Sequence, residues 1–104
     1  MDKLLSLLGL ARRAGRITLG FDAVCGSVQK QESKLILTAE DVSEGTMRKL
    51  NNRLSGMEID IREIPFGLDQ INAAIGKPVR IISINDSGFA GRMIELLETG
   101  NGEE

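Results

Sequence analysis

Arg12, Arg13 and Arg16 fall within five positions of a chain whose formal net charge is −2. Arginines at that density suit phosphate groups, because the planar guanidinium offers paired donors to phosphate oxygens. Arg12 and Arg13 also close an apolar helical pattern, where cations meet the negative end of the helix dipole. Arg16 lies beyond that helix and has no such explanation. Gly20 follows four residues later and opens a second helix. The first N–H groups of a helix are unpaired and favour anions. Arg16 and the Gly20 helix start are therefore expected to sit side by side as an anion-receptive edge for a phosphate backbone. Lys30, at the end of the second helix, adds a further cation.

Three other stretches carry chemistry-bearing residues. NDSGFAGR (85–92) follows an apolar run and opens a helix, as phosphate loops do, but it lacks G-x-x-x-x-G-K-[ST]. A turn capped by Asp86 or Ser87 explains it. Glu40 and Asp41 end another apolar run, a place where α/β sheets put catalytic carboxylates. The chain has no histidine to work with them, and a capped polar strand end explains the pair. Cys25 falls on the apolar face of the second helix, whereas a reactive thiolate needs exposed, electropositive surroundings. No constellation supports catalysis, so a non-enzyme is expected. The lack of histidine removes His-based zinc sites and His-centred triads, and neither metal nor cofactor is expected. With no tryptophan or tyrosine, only Phe21, Phe66 and Phe89 offer rings for a base to stack on.

These residues need a scaffold. A chain of 104 residues with 41% apolar content has the size and composition of one folded domain. Residues 1–99 are expected to form it, with 100–104 as a flexible acidic tail. No apolar run has the length of a membrane span, and no small-residue cleavage site follows the apolar N-terminal stretch. A single cysteine fits a cytoplasmic protein. Charge is uneven. Residues 1–30 hold five basic and two acidic side chains, and residues 57–104 hold four basic and nine acidic. A positive face for nucleic acid, if built, belongs to the first third.

Leu4, Leu7, Leu8, Ala11 and Ala14 carry helical periodicity over 2–14, with Gly15 just beyond. RITL is a short strand, and Phe21, Val24, Cys25 and Val28 line a helix ending near Lys30. KLILTAED and VRIISI are continuous apolar runs, the mark of strands covered on both faces. Ser43 caps a helix with Met47, Leu50 and Leu54 inward. EIDIREI alternates as a less buried strand and stops at Pro65. A fourth helix carries Leu68, Ile71, Ala74 and Ile75, and a fifth carries Phe89, Met93, Ile94 and Leu97. The order α-β-α-β-α-β-α-β-α calls for a three-layer α/β/α sandwich around a four-stranded mixed sheet.

Four stretches then carry a likeness: LGLARRAGRITLGFDAV, KLILTAEDVSEGTMRKL, AAIGKPVRIISI and DSGFAGRMIELL. In this order and spacing they resemble the L-seven-Ae type ribosomal-protein superfamily, and within it the small bacterial YlxQ-like group, over about residues 3–98. The resemblance implies the sandwich fold and binding of kink-turn RNA, a sharply bent element with sheared G·A pairs. It implies a site from two regions. One is the turn into the second helix, where binders carry Gly-x-Asn-Glu-x-x-Lys. Gly20 matches the glycine, and Asp22, Ala23 and Gly26 stand at the asparagine, glutamate and lysine positions. The other is the loop before the fourth helix, whose apolar residues cover a flipped-out base.

The expectation is a non-catalytic, ribosome- or translation-associated protein. Arg12, Arg13, Arg16 and Lys30 supply phosphate contacts. Gly20, Phe21 and Asp22 approach backbone or base edges, and Ile64, Pro65 and Phe66 pack on an unstacked base. The expected partner is structured RNA, ribosomal RNA included, with protein partners possible, no membrane, and a monomeric chain. The acidic C-terminal half and the replaced Asn-Glu-Lys set point to an alternative, a protein-interaction module that keeps the fold without kink-turn recognition.

Overall fold

The computed structural model describes residues 2–99; the tail expected at 100–104 lies outside the described residues. Nine elements alternate as the sequence pattern requires: α1 (Lys3–Arg13), β1 (Ile17–Leu19), α2 (Phe21–Gln29), β2 (Leu35–Thr38), α3 (Glu44–Arg53), β3 (Ile61–Glu63), α4 (Leu68–Ile75), β4 (Ile81–Ile84) and α5 (Ser87–Glu98). Local chemistry sets the ends. Asp2 caps α1 by accepting from the Leu4 and Leu5 N–H groups. Ser43 caps α3 through the Thr46 N–H, and Asp86 caps α5 through that of Phe89. The NDSGFAGR stretch is thus a capped turn. Gly76 ends α4 at φ 77°, the left-handed conformation that glycine reaches without strain.

The sheet runs β1-β4-β2-β3. β4 is antiparallel to both β1 and β2, and β3 is parallel to β2. Side chains alternate across it. Leu35, Leu37, Ile82 and Ile84 join α1, α4 and α5 in one core cluster. Ile36 and Ile81 join Val24, Cys25, Val28, Leu50 and Leu54 of α2 and α3 in the other. Helices thus cover both faces, which is why β2 and β4 are buried at every position. β3 starts three residues later than EIDIREI suggests, yet its alternation is real. Ile59 and Ile61 pack toward α2 and α3. Ile64, of opposite parity, enters the α1–α4–α5 cluster.

This topology gives the sheet two ends. The C-terminal ends of β1, β2 and β3 meet the start of β4 at one end, called here the glycine end. The starts of β1 and β2 meet the last residue of β4 at the other, the basic end.

Candidate nucleic-acid interface

At the glycine end four loops converge. The Gly20 N–H donates to the Ile81 carbonyl at 2.9 Å, Ala39 N–H to Arg80 at 2.9 Å, and Glu40 N–H to Phe66 at 2.9 Å. Gly20 has φ 93° and ψ 157°, a combination open in practice only to glycine, and no side chain caps α2 there. The first N–H groups of α2 therefore face outward without an intrahelical partner. The Asp41 carboxylate accepts from Leu68 N–H at 3.2 Å, so it caps α4 from a different loop. A Cβ on Gly67 would come 3.1 Å from the same carboxylate, so glycine there lets Asp41 reach the helix. Arg80 Nε holds the other oxygen at 3.2 Å. The Leu68 N–H first, and Arg80 beside it, hold the Asp41 carboxyl below the usual carboxylate range. Behind the Asp41–Arg80 pair lies an open hollow of about 460 Å³, bordered by Gly20, Phe21, Ser43, Thr46 and Val79.

Phe66, tied through its carbonyl to the Glu40 N–H, is half-buried against the core, and Pro65 is exposed. Ile64 is not available to a base: it is 1% exposed. Its N–H makes the last rung to Thr38, 2.8 Å, which turns its side chain inward. Phe21 is also engaged. The Arg53 guanidinium stands 5.5 Å from its ring centroid and reaches Asp22 at 3.4 Å. Phe89 is in the first turn of α5, which follows the last residue of β4, at the other end of the sheet. Phe66 is therefore the ring best placed to take a base at this end.

The expected adjacency of Arg16 and Gly20 does not occur. They stand at opposite ends of β1, about 13 Å apart at an extended rise of roughly 3.3 Å per residue. The Arg16 carbonyl accepts from Asn85 N–H at 2.8 Å, at the end of β4, whereas Gly20 bonds to its start. Arg16 N–H donates to Ala11 and Gly15 N–H to Arg12, so the three arginines share one turn at the basic end. Lys30, the C-cap of α2, lies there too. The ten candidate residues thus divide: Gly20, Phe21, Asp22, Pro65 and Phe66 on the glycine end, Ile64 in the core, and Arg12, Arg13, Arg16 and Lys30 on the basic end. Sequence reasoning passed over Arg80, Val79 and Thr46. A cation immediately before the apolar run IISI was the available signal for Arg80.

Cys25 is fully buried, and burial pushes its thiol up. Among the described residues no group of three His, Cys, Asp or Glu could hold a metal ion, and no helix is long and apolar enough to cross a membrane.

Residues 2–92 match the model of the ribosomal protein L7Ae/L30e/S12e/Gadd45 family. The chain belongs to this family. A relative called RNA-binding protein YlxQ, from Enterococcus faecium, is 34% identical over 97 residues, 93% of each chain. Its namesake from Bacillus subtilis is 31% identical over 93 residues, covering 88% of this chain and 92% of that one. A solved protein of unknown function from Bacillus halodurans superposes with a TM-score of 0.84 at 30% identity, over 94% of this chain and 99% of that one. A Giardia lamblia 15.5 kD RNA-binding protein shares the fold, with a TM-score of 0.71 at 15% identity over 92% of this chain and 85% of that one. Family membership is thus what the resemblance implied, and the α/β/α sandwich is what the element order called for.

Proposed function

We propose that the chain is a non-catalytic, translation-associated binder of structured, kink-turn-like RNA, and that its glycine end makes the discriminating contacts. The observation that carries this reading is that the Gly20 turn and the Asp41–Arg80 pair border one hollow, while the Glu40 N–H ties the Phe66 backbone to the strand end that carries Asp41. Backbone N–H groups at the start of α2 suit a phosphate or a base edge approaching closely. Phe66 and Pro65 offer an apolar surface to a base turned out of its stack. Asp22 accepts hydrogen bonds but cannot donate one, so it suits a guanine amino group. The two YlxQ relatives bear the name RNA-binding protein, and the family is described by ribosomal proteins.

Affinity measured against a kink-turn RNA, the same RNA with its G·A pairs replaced, and a plain duplex tests the reading. The expected result is preference for the intact kink-turn. Phe66→Ala should reduce that preference by about 5- to 150-fold, since a base stacked on an aromatic ring contributes about 1–3 kcal/mol. Equal, weak binding to all three overturns it. Absence of saturable binding, with a protein retained in pull-down, favours the alternative interaction module.

A further inference from the structure

We infer that the basic end is a second RNA-binding surface, separate from the glycine end, that holds the phosphate backbone of another segment of the bound RNA without reading sequence. The inference rests on the RNA-binding reading above and adds a second site to it.

Strand register builds this surface. Lys34 N–H donates to the Ile84 carbonyl at 2.7 Å, and Asn85 N–H donates to Arg16. Arg16 and Lys34 therefore flank the end of β4, one on each side. Two strand spacings of about 4.8 Å put their Cα atoms about 10 Å apart. Arg12 and Arg13 come from the turn next to Arg16, and Lys30 from the end of α2. Arg13, Arg16, Lys30 and Lys34 are exposed and Arg12 is half-exposed. Among the described residues none of the five joins an ion pair. Glu32, Glu58, Asp60 and Asp86 share this end. The Asp86 carboxylate caps α5 and that of Asp60 is held by Arg62 at 2.9 Å. With Asp60 matched by Arg62, five cations thus stand against three carboxylates, one of which is turned to the start of α5. Helix ends explain Arg12 and Arg13 in part, but Arg16 and Lys34 belong to no helix.

Two further observations show that the surface is held in shape. The first is a polar network under it. Asn85 Nδ2 donates to Thr18 Oγ1 at 2.8 Å, and its Oδ1 accepts from Ser27 at 3.1 Å and Ser83 at 2.6 Å. Ser83 Oγ also lies 2.7 Å from Ser33 Oγ. A serine hydroxyl has one proton, so Ser33 donates in that pair. One amide thus ties β1, β4, α2 and the loop before Lys34 together. The second is Gln31, a non-glycine residue at φ 62°. Such strain persists only where its surroundings impose it. Here Glu32 and Ser33 N–H both donate to the Ser27 carbonyl, at 2.9 and 3.3 Å, which fixes the loop between Lys30 and Lys34.

The two ends lie at opposite limits of the sheet, so they meet different parts of a folded RNA. Backbone contact at the basic end is electrostatic and salt-dependent. The test measures affinity against salt for the three RNAs named above: the kink-turn, its G·A-replaced version and the plain duplex. The proteins are the wild type, Arg13→Gln/Arg16→Gln/Lys34→Gln, Phe66→Ala, and Arg48→Gln/Lys49→Gln on the exposed side of α3. Each cation withdrawn from duplex phosphate lowers the slope of log affinity on log salt by about 0.9. The triple variant should lower it by about 2–3 and leave the ratio of intact to replaced kink-turn unchanged. Phe66→Ala should shrink the ratio and leave the slope. The α3 variant should change neither. An unchanged slope in the triple variant, with the wild-type preference present, overturns the second surface alone. Equal wild-type affinity for all three RNAs, with the slope still falling in the triple variant, overturns the glycine-end reading and supports the basic end. No saturable binding of any probe overturns both. A melting temperature for the triple variant within a few degrees of wild type shows that the fold is retained.

Discussion

At the glycine end, backbone groups and one carboxylate do the positioning. Gly20 docks on Ile81, and Asp41 reaches across to Leu68 N–H and Arg80. At the basic end, an amide and four hydroxyls do it, and the cations project without ion-pair partners among the described residues. The first arrangement leaves little side chain between backbone and ligand, and its charges are largely matched within the protein. That suits close contact with a base. The second leaves positive charge free in solvent, which attracts any phosphate backbone over a Debye length of roughly 10 Å. On the reading proposed above, one domain separates shape recognition from charge attraction by the length of a strand.

The strongest way to break this division is at Ile64, the residue expected at the contact surface and found in the core. Ile64→Ala should destabilise the protein by about 2–5 kcal/mol, the usual cost of emptying a buried aliphatic site. Pro65→Ala, one residue on and exposed, should leave stability nearly unchanged. Urea unfolding of the two variants checks this. A cost below about 1 kcal/mol for Ile64→Ala would return that residue to the surface and enlarge the glycine end.

Gly20→Ala comes next. No atom lies within 4 Å of the added methyl group, so any cost comes from the backbone alone. At φ 93° and ψ 157° that cost is about 1–3 kcal/mol. The variant should also lose discrimination between intact and replaced kink-turn, because the start of α2 shifts. The salt slope set by the basic end should stay. Loss of both properties together would mean that the two ends act as one surface.

These outcomes bear on what the sequence could and could not tell. Element order, caps and the inward faces were legible because each follows from a local pattern: Ser43 and Asp86 before apolar periodicity, Gly76 after it, continuous apolar runs in β2 and β4. The separation of Arg16 from Gly20 was not legible. Four residues of extended chain read the same whether the flanks are drawn together or held apart, and only the pairing of β1 with β4 decides. Ile64 misled for a related reason. EIDIREI shows one inward face, through Ile59 and Ile61, and nothing local says that α1, α4 and α5 cover the other. Asp41 read correctly as a capping residue, but its target is α4, 27 positions away, a distance no local motif encodes.

A smaller effect sharpens the basic end. Gln31→Gly removes the Cβ strain of a left-handed residue at the end of α2. Part of that gain is offset by the greater freedom of glycine in the unfolded chain. The net expectation is a stabilisation of about 0.5–1 kcal/mol, a rise of a few degrees in Tm for a domain this size. If the strain serves to hold Lys30 and Lys34, the more stable variant should bind the plain duplex less well. Unchanged duplex affinity would mean that Ser27 and the Asn85 network suffice to place both lysines.

The smallest effect probes the glycine end through acid. The Asp41 carboxyl titrates below its ordinary value of 3.8, because the folded state offers its anion the Leu68 N–H and then Arg80. A depressed folded-state pKa adds stability that is full above the ordinary value and disappears as pH falls through the folded one. Asp41→Asn should therefore lower stability at neutral pH by that contribution and flatten its fall below about pH 4. Arg80→Gln should flatten it less, since the backbone N–H is the larger cause and survives that substitution. The carboxylate is 44% exposed, so both changes are small against that of Ile64→Ala. If Arg80→Gln flattened the curve as much as Asp41→Asn, the pair rather than the cap would be what holds the loop after β2 to the start of α4. The glycine end would then depend on a surface ion pair, and its shape would weaken with salt as the basic end's attraction does.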